Sequence, residues 1–358
     1  MSTGTLVLLT GISGFIGAHV ADELLASGYR VRGCATPSSS SLYHSHLSVL
    51  TLVHSVTRTK KVAEISERYA DRDRKVEIVA VDDIAEGDFT DALKGVGAVI
   101  HGASPMPGNY TPEETIRVAE QSATNVLRQA EAAGITNFVF LGSIVATYHP
   151  GFKTLNENDW NNTTREEATS GKLDAFQVYA ASKALAEKAV WEFGATHPHV
   201  EIASVNPGFN LGSLGKNVKL PPKAYSALSS NALVLHLFDN SSPLPWSHEF
   251  VSVHVVARAL VRALTLPPTA QVGRKRFPLV SREWAGAGEV VRYLEGVRPE
   301  LKGLFTREAR EATGAPGQYV DLARAEGVLG VVQPSWQEVV LEAVDTVVAL
   351  KREWEGDV

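Results

Sequence analysis

Cysteine is almost missing from this chain of 358 residues, with Cys34 the only one. A single thiol cannot close an internal disulfide, so the fold must rest on buried apolar surface, and a reducing compartment suits it. A basic excess is missing too. Lys and Arg number 34 against 40 Asp and Glu, for a formal charge of -6. That balance excludes the broad cationic face nucleic acid requires, and no nucleic acid partner is expected. No run approaches the roughly 20 apolar residues of a membrane helix, so no membrane partner is expected either. The eleven His are scattered without zinc-like spacing, and no metal is expected. Leu6-Val7-Leu8-Leu9 is too short for an export signal, lacks a basic leader and runs into glycines. It reads as a first β-strand, and the expected location is cytoplasmic.

One shortage is local. From Gly33 through Thr57 there is no Asp, Glu, Lys or Arg, although charged residues make up 21% of the chain. Charges scattered at random would leave such a gap in fewer than about 1% of windows. Thr36-Pro37-Ser38-Ser39-Ser40-Ser41 opens the stretch. It reads either as a Ser-rich surface loop or as an insertion over 36–57 that splits a functional loop.

Elsewhere, short apolar runs alternate with helical patterns, as in a parallel sheet with crossover helices. Strands are expected at Thr5–Leu9, Tyr29–Ala35, Val76–Val81, Ala98–His101, Asn137–Leu141 and Val200–Val205. A helix with Ile16, Val20, Leu24 and Leu25 on one face follows the first strand, and others span Thr111–Ala133 and Phe176–Thr196. Six strands is the count of a doubly wound dinucleotide-binding sheet. After Asn206-Pro207-Gly208 the pattern weakens. Residues 1–205 therefore read as a dinucleotide-binding domain and 206–358 mainly as a smaller, mixed α/β domain that shapes a substrate pocket. Residues 250–266 read as a strand and helix packing back on the first domain, and Trp336–Leu350 as a closing helix.

Two motifs carry chemistry. Gly11, Gly14 and Gly17 follow a strand and open a helix. In that context the first allows a tight turn, the second lets backbone approach a pyrophosphate, and the third permits close helix–strand packing. Amide donors and the helix dipole then hold phosphate. Tyr179 and Lys183 are four apart and share a helical face. An ammonium beside the phenol should lower its pKa from about 10 and ready it for proton exchange. Ser143, just past the fifth strand, can hydrogen-bond a substrate carbonyl oxygen.

With these residues assembled, the chain resembles the extended short-chain dehydrogenases/reductases, in the branch of dihydroflavonol-4-reductase-like and fungal NADPH-dependent aldehyde/ketone reductases. The landmarks are Thr10 to Gly17, Val81-Asp82-Asp83-Ile84, His101-Gly102-Ala103-Ser104-Pro105, Leu155 to Trp160, Tyr179 to Lys183 and Asn206-Pro207-Gly208. The resemblance implies a Rossmann-type α/β fold and Ser143, Tyr179 and Lys183 as catalytic triad. It implies cofactor contacts from Gly11, Ser13, Gly14, Phe15, Ile16, Gly17, Arg32, Asp83, Ile84, Ala103, Ser104, Pro207 and Gly208. The implied reaction is hydride transfer to an aldehyde or ketone, with Tyr179 as proton donor and a small carbonyl compound as the only partner of a monomer or homodimer. A nucleotide-sugar epimerase or dehydratase that retains NAD is the enzymatic rival, and a non-catalytic NAD(P) sensor the other. The branch usually carries Thr-Ser-Ser where this chain has Leu141-Gly142-Ser143.

The cofactor turns on the charge-free stretch. Relatives that use NADPH place an Arg just after the second strand, and NAD enzymes an acid. Here Thr36 follows Ala35 and no acid is near. Joining Ala35 directly to Arg58 restores the NADPH pattern, with Arg58 at the 2′-phosphate and Lys61 as second cation. NADPH is the expected cofactor, with NADH the alternative. Met106, Tyr148, Phe176, Phe209 and Trp246 are candidate pocket residues or plain core, and Arg274–Arg276 reads as a solvated face. Because a longer surface loop costs little entropy, the chain should fold with 36–57 present. Deleting Thr36–Thr57 should tighten NADPH binding in a fluorescence titration; unchanged or weaker binding would refute the insertion.

Overall fold

The computed structural model describes residues 4–35, 60–70, 75–104, 110–148, 154–216, 218, 220–239, 246, 247, 249–283, 285–313 and 319–356. The stretch 36–57, Arg58 and Met106 lie outside the described residues.

The central sheet has seven strands: β1 (Leu6–Thr10), β2 (Arg30–Ala35), β3 (Val76–Ala80), β4 (Ala98–His101), β5 (Asn137–Leu141), β6 (Glu201–Pro207) and β7 (Lys275–Leu279). Their order is β7-β6-β5-β4-β1-β2-β3, and every neighbouring pair is parallel. The first six strands thus take the doubly wound order expected of them, with β7 added at the β6 edge. Among the described residues, the helices of eight residues or more are α1 (Phe15–Ala26), α2 (60–68), α3 (Pro112–Ala132), α4 (Ala175–Thr196), α5 (Val253–Ala263), α6 (Ala287–Val297) and α7 (Trp336–Glu355). None of them is long and apolar enough to cross a membrane.

The pleat sorts each strand between two cores. Val7 and Leu9 of β1 pack with Val20 and Leu24 of α1 and Val256 and Leu260 of α5. Leu6 and Leu8 face the other way, onto Ala123 and Val126 of α3 and Val190 of α4. Helix α5 therefore covers the sheet beside α1, although it follows a short strand, Phe250–Ser252, that pairs with Phe209–Leu211 outside the main sheet. A separate core forms where α6 and α7 meet, around Val291, Leu294, Val340 and Val344. Helices α3, α4 and α7 each begin with a capping box, Thr111 with Glu114, Asp174 with Gln177 and Ser335 with Glu338.

Strand β7 corrects the sequence reading. Its run Lys-Arg-Phe-Pro-Leu carries two charges and a proline, and Arg274–Arg276 was expected to be a solvated face. Lys275 and Arg276 are buried instead, Lys275 on Glu201 at 2.7 Å and Arg276 on Glu187 at 2.8 Å. As the edge strand, β7 also tolerates Pro278, which has no N–H to give to a further neighbour.

Helix α7 is tied to α5 by His254 Nε2 and Glu342 Oε1, 2.8 Å apart. The His254 ring stands edge-on to His19 of α1 with centroids 4.8 Å apart, and His19 Nε2 donates to the Ser213 carbonyl at 2.9 Å. Burial alone would raise the pKa of Glu342, but hydrogen bonds with His254 and Ser213 outweigh it and hold the carboxyl at about 2 against an ordinary 4.5. A depressed carboxyl lends stability that is fully present above the unfolded value and disappears as pH falls through the folded one. Urea denaturation of the parent should therefore lose stability between about pH 4.5 and pH 2 more steeply than that of Glu342→Gln. Parallel pH profiles would refute the contribution.

Candidate active site

Strand β1 ends at Thr10 and the chain turns at Gly11, whose φ of +79° suits glycine. A Cβ on Gly11 would lie 2.9 Å from the Gly102 carbonyl carbon, and one on Gly17 would lie 2.0 Å from the Gly11 oxygen. The turn, the start of α1 and the loop after β4 are thus packed backbone to backbone. Thr10 fastens this junction. Its Oγ1 accepts from the Gly102 and Ala103 amides, both at 3.1 Å, and so turns its hydrogen to His101 Nδ1 at 3.0 Å. Burial, aided by the Lys183 charge, pushes His101 down to about 3, which keeps the ring neutral. Helix α1 starts at Gly14 with no side-chain cap and no acid in its first turn. The amides of Phe15, Ile16 and Gly17 have no acceptor within the helix, and the positive end of the dipole faces the turn. Close backbone approach, free donors and no carboxylate together fit a dinucleotide pyrophosphate.

Two strands away, β5 runs out at Leu141 and Ser143 starts a single 3₁₀ turn over Ile144–Ala146. Tyr179 and Lys183 lie one turn apart near the start of α4. Tyr179 packs against Ile144, Val145, Val280 and Leu322 and is only partly exposed. Burial pushes its pKa up to about 12, while a hydrogen bond with the Ser143 side chain draws it down. Lys183 Nζ sits 5.5 Å from the centroid of the Tyr179 ring, and burial pushes it down to about 8. This corrects the expectation that the ammonium lowers the phenol: the lysine lies over the ring, and desolvation prevails. The phenol stays protonated at neutral pH, the form a proton donor needs.

A profile of the NAD dependent epimerase/dehydratase family matches residues 7–275. The chain belongs to this family. It is 30% identical over 316 residues to an oxidoreductase of Schizosaccharomyces pombe, covering 85% of each chain. It is 29% identical to a ketoreductase of Penicillium roqueforti, covering 91% of this chain and 90% of that one. Its fold is similar to that of the yeast methylglyoxal/isovaleraldehyde reductase Gre2 solved with NADPH. There the TM-score is 0.76 at 22% identity, over 97% of this chain and 99% of the other.

Across this family member, the C-terminal ends of β1, β4, β5 and β6 bring many of the expected site residues to one edge of the sheet. Gly11, Ser13, Gly14, Phe15, Ile16 and Gly17 lie there with Ala103 and Ser104, and so do Ser143 and the pair Pro207 and Gly208. The Gly208 amide donates to Leu279 O at 3.0 Å, joining the end of β6 to that of β7. Asp83 and Ile84 follow β3 on the same edge. Asp83 is exposed, and its Oδ1 accepts from the Ala85 and Glu86 amides at 2.6 and 2.9 Å, which shapes the turn. Lys61 lies in the first turn of α2, half-buried, with burial lowering its pKa against the opposing charge of Glu64.

Arg32 is not brought to the turn. It sits in mid-β2, where it donates to Glu77 at 2.7 Å and to the Ala92 and Lys94 carbonyls at 3.1 and 2.6 Å. Of the apolar candidates, Tyr148 and Phe176 are exposed, and the Phe176 ring lies 6.3 Å from that of Tyr179. Phe209 and Trp246 pack in the α6–α7 core, where Trp246 Nε1 donates to Ala285 O.

Sequence reasoning gave no role to Thr10, His101, Glu187, Asn206 or Arg276. Glu187 could have been found, because it continues the face of Tyr179 and Lys183 by one more turn. At Gly17 the clash distance sets the expected outcome. Gly17→Ala must open the turn, which should cost about 1–3 kcal/mol in urea denaturation and weaken dinucleotide binding. Unaltered stability and binding would refute the packing argument.

Proposed function

We propose that this protein is an NADPH-dependent carbonyl reductase that converts an aldehyde or ketone to an alcohol. The observation that carries the reading is Ser143 hydrogen-bonded to Tyr179 with Lys183 one turn on, at the sheet edge that also bears the glycine turn. The names of the S. pombe and P. roqueforti relatives support it.

Bound NADPH supplies the hydride that reduces the carbonyl carbon. Amides of Gly14 to Gly17 hold its pyrophosphate, and Asp83, Ile84, Ala103, Ser104, Pro207 and Gly208 line the rest of its cleft. Lys61 meets the 2′-phosphate; support comes from the lack of any acid between Gly33 and Thr57. Ser143 orients the substrate oxygen and donates to it. Tyr179 gives that oxygen its proton. A phenol at about 12 is still a far stronger acid than an alcohol, whose pKa is near that of water, about 16, so the transfer runs downhill. Lys183, with no hydrogen bond among the described residues, is free to bind the nicotinamide ribose and to stabilise the phenolate left behind. Exposed Phe176 and Tyr148 favour an apolar substrate. Residues 1–205 form the cofactor half and 206–358 mainly the substrate half, with 250–266 returning to the first.

The purified protein should oxidise NADPH faster than NADH with aldehydes or ketones. In Tyr179→Phe, kcat should fall by about 10²–10⁴-fold while NADPH affinity stays nearly unchanged. Turnover retained by that variant would refute Tyr179 as proton donor.

A further inference from the structure

Helix α4 carries a third residue on the face of Tyr179 and Lys183. Glu187 lies one turn past Lys183, and its side chain is 0% exposed. It accepts five hydrogen bonds. Arg276 donates from Nε at 2.8 Å and from Nη2 at 3.1 Å. Ser204 Oγ and Asn206 Nδ2 donate at 2.7 Å each, and Trp191 Nε1 at 3.2 Å. A carboxylate stripped of water needs such a set, because burying an ion costs several kcal/mol unless its lone pairs are satisfied.

The guanidinium opposite, also 0% exposed, reaches further. Arg276 Nη1 donates to the Glu157 and Asp159 carbonyls at 3.0 and 2.5 Å, and its plane stacks on Trp160 at 3.7 Å. Nη2 also reaches Ala146 O at 3.4 Å. Ala146 closes the 3₁₀ turn that Ser143 opens, its amide donating to Ser143 O at 3.0 Å, and the Ala146 carbonyl accepts from the Asn161 amide at 2.8 Å. One planar group thus holds both the turn that carries Ser143 and the helix that carries Tyr179. The 157–161 loop, which overlaps the Leu155 to Trp160 landmark, is its third attachment. A Cβ at Gly142 would fall 2.7 Å from Asn206 Oδ1, so the glycine before Ser143 leaves room for the same cluster.

We infer that Arg276 and Glu187 are positioning residues, a buried clamp that sets the separation of Ser143 and Tyr179. The inference rests on the reductase reading above for its kinetic consequence, though not for its geometric one. A lysine at 276 keeps the charge but has no fork to span the Glu187 carboxylate and the Ala146 carbonyl together. In Arg276→Lys, kcat should fall about 10–100-fold, as expected of a misplacement on the ångström scale. KM and NADPH affinity should change less than about threefold, since neither binding site is touched. A purely structural role predicts the opposite pattern: a lower melting temperature and less folded protein, with kcat per folded molecule unchanged.

Breaking a buried pair can cost enough to unfold a domain, so Glu187→Asp, which keeps the carboxylate and shortens its arm by one methylene, is the second variant. It should show a smaller fall in kcat with the same unaltered KM. Crystal structures of the two variants supply the readout independent of turnover. Opening of the Ser143–Tyr179 hydrogen bond in them supports the clamp even if the parent reduces no carbonyl, a result that would sink the reductase reading alone. Retained Ser143–Tyr179 geometry together with unchanged kcat in whichever variant folds would overturn the clamp.

Discussion

The structure is organised around a charge pair that water never reaches. Glu187 on α4 and Arg276 on β7 are both fully buried, and each is tolerable only because the other, with Ser204, Asn206, Trp191 and three backbone carbonyls, meets its hydrogen-bonding needs. Desolvation makes such a pair unforgiving. It contributes little net stability relative to an apolar replacement, yet loss of one partner strands the other. What it does provide is direction. Dispersion forces would let α4 slide on the sheet by fractions of an ångström, whereas a fork on a carboxylate sets both distance and plane. The edge strand, the 157–161 loop and α4 are thereby held in one register.

The site then follows from parallel topology. Every strand of the sheet points the same way, so all the loops that leave their C-terminal ends gather on one edge. At β1 and β4 the gathering is so tight that Gly11 and Gly17 leave no room for a side chain, and Thr10 locks the two loops with one hydroxyl. Ser143 and Tyr179 stand in the next crevice. The environment keeps the members of this group apart in acidity: His101 neutral at about 3, Lys183 lowered to about 8, Tyr179 raised to about 12. Burial is the largest cause in each case. It keeps His101 neutral and the phenol protonated at neutral pH, and it draws Lys183 down without removing its charge there.

Much of this was legible in the chain. The first six strands fall within about two residues of their expected ends, because a buried parallel strand is a short apolar run bounded by polar punctuation. The packing of Val255, Val256, Ala259 and Leu260 in the core beside α1 has a related cause: they form an apolar face too continuous to leave in water. Strand β7 was not legible. Its Lys275 and Arg276 look solvent-seeking in sequence, and only the carboxylates of Glu201 and Glu187, contributed from 74 and 89 residues away, make their burial possible. Arg32 misled in the same way, its guanidinium committed to Glu77 in the neighbouring strand.

The sequence alone determined the fold class, the glycine turn between β1 and α1 and the one-turn separation of Tyr179 and Lys183, because those depend on periodicity and on spacing within one strand–turn or one helix. Tertiary structure decided which charges are buried, that Lys183 lies over the Tyr179 ring, and what holds Ser143 opposite it. The reason is electrostatic: the sign and size of each effect depend on how much water is excluded and which distant partner replaces it, and neither is a property of local sequence.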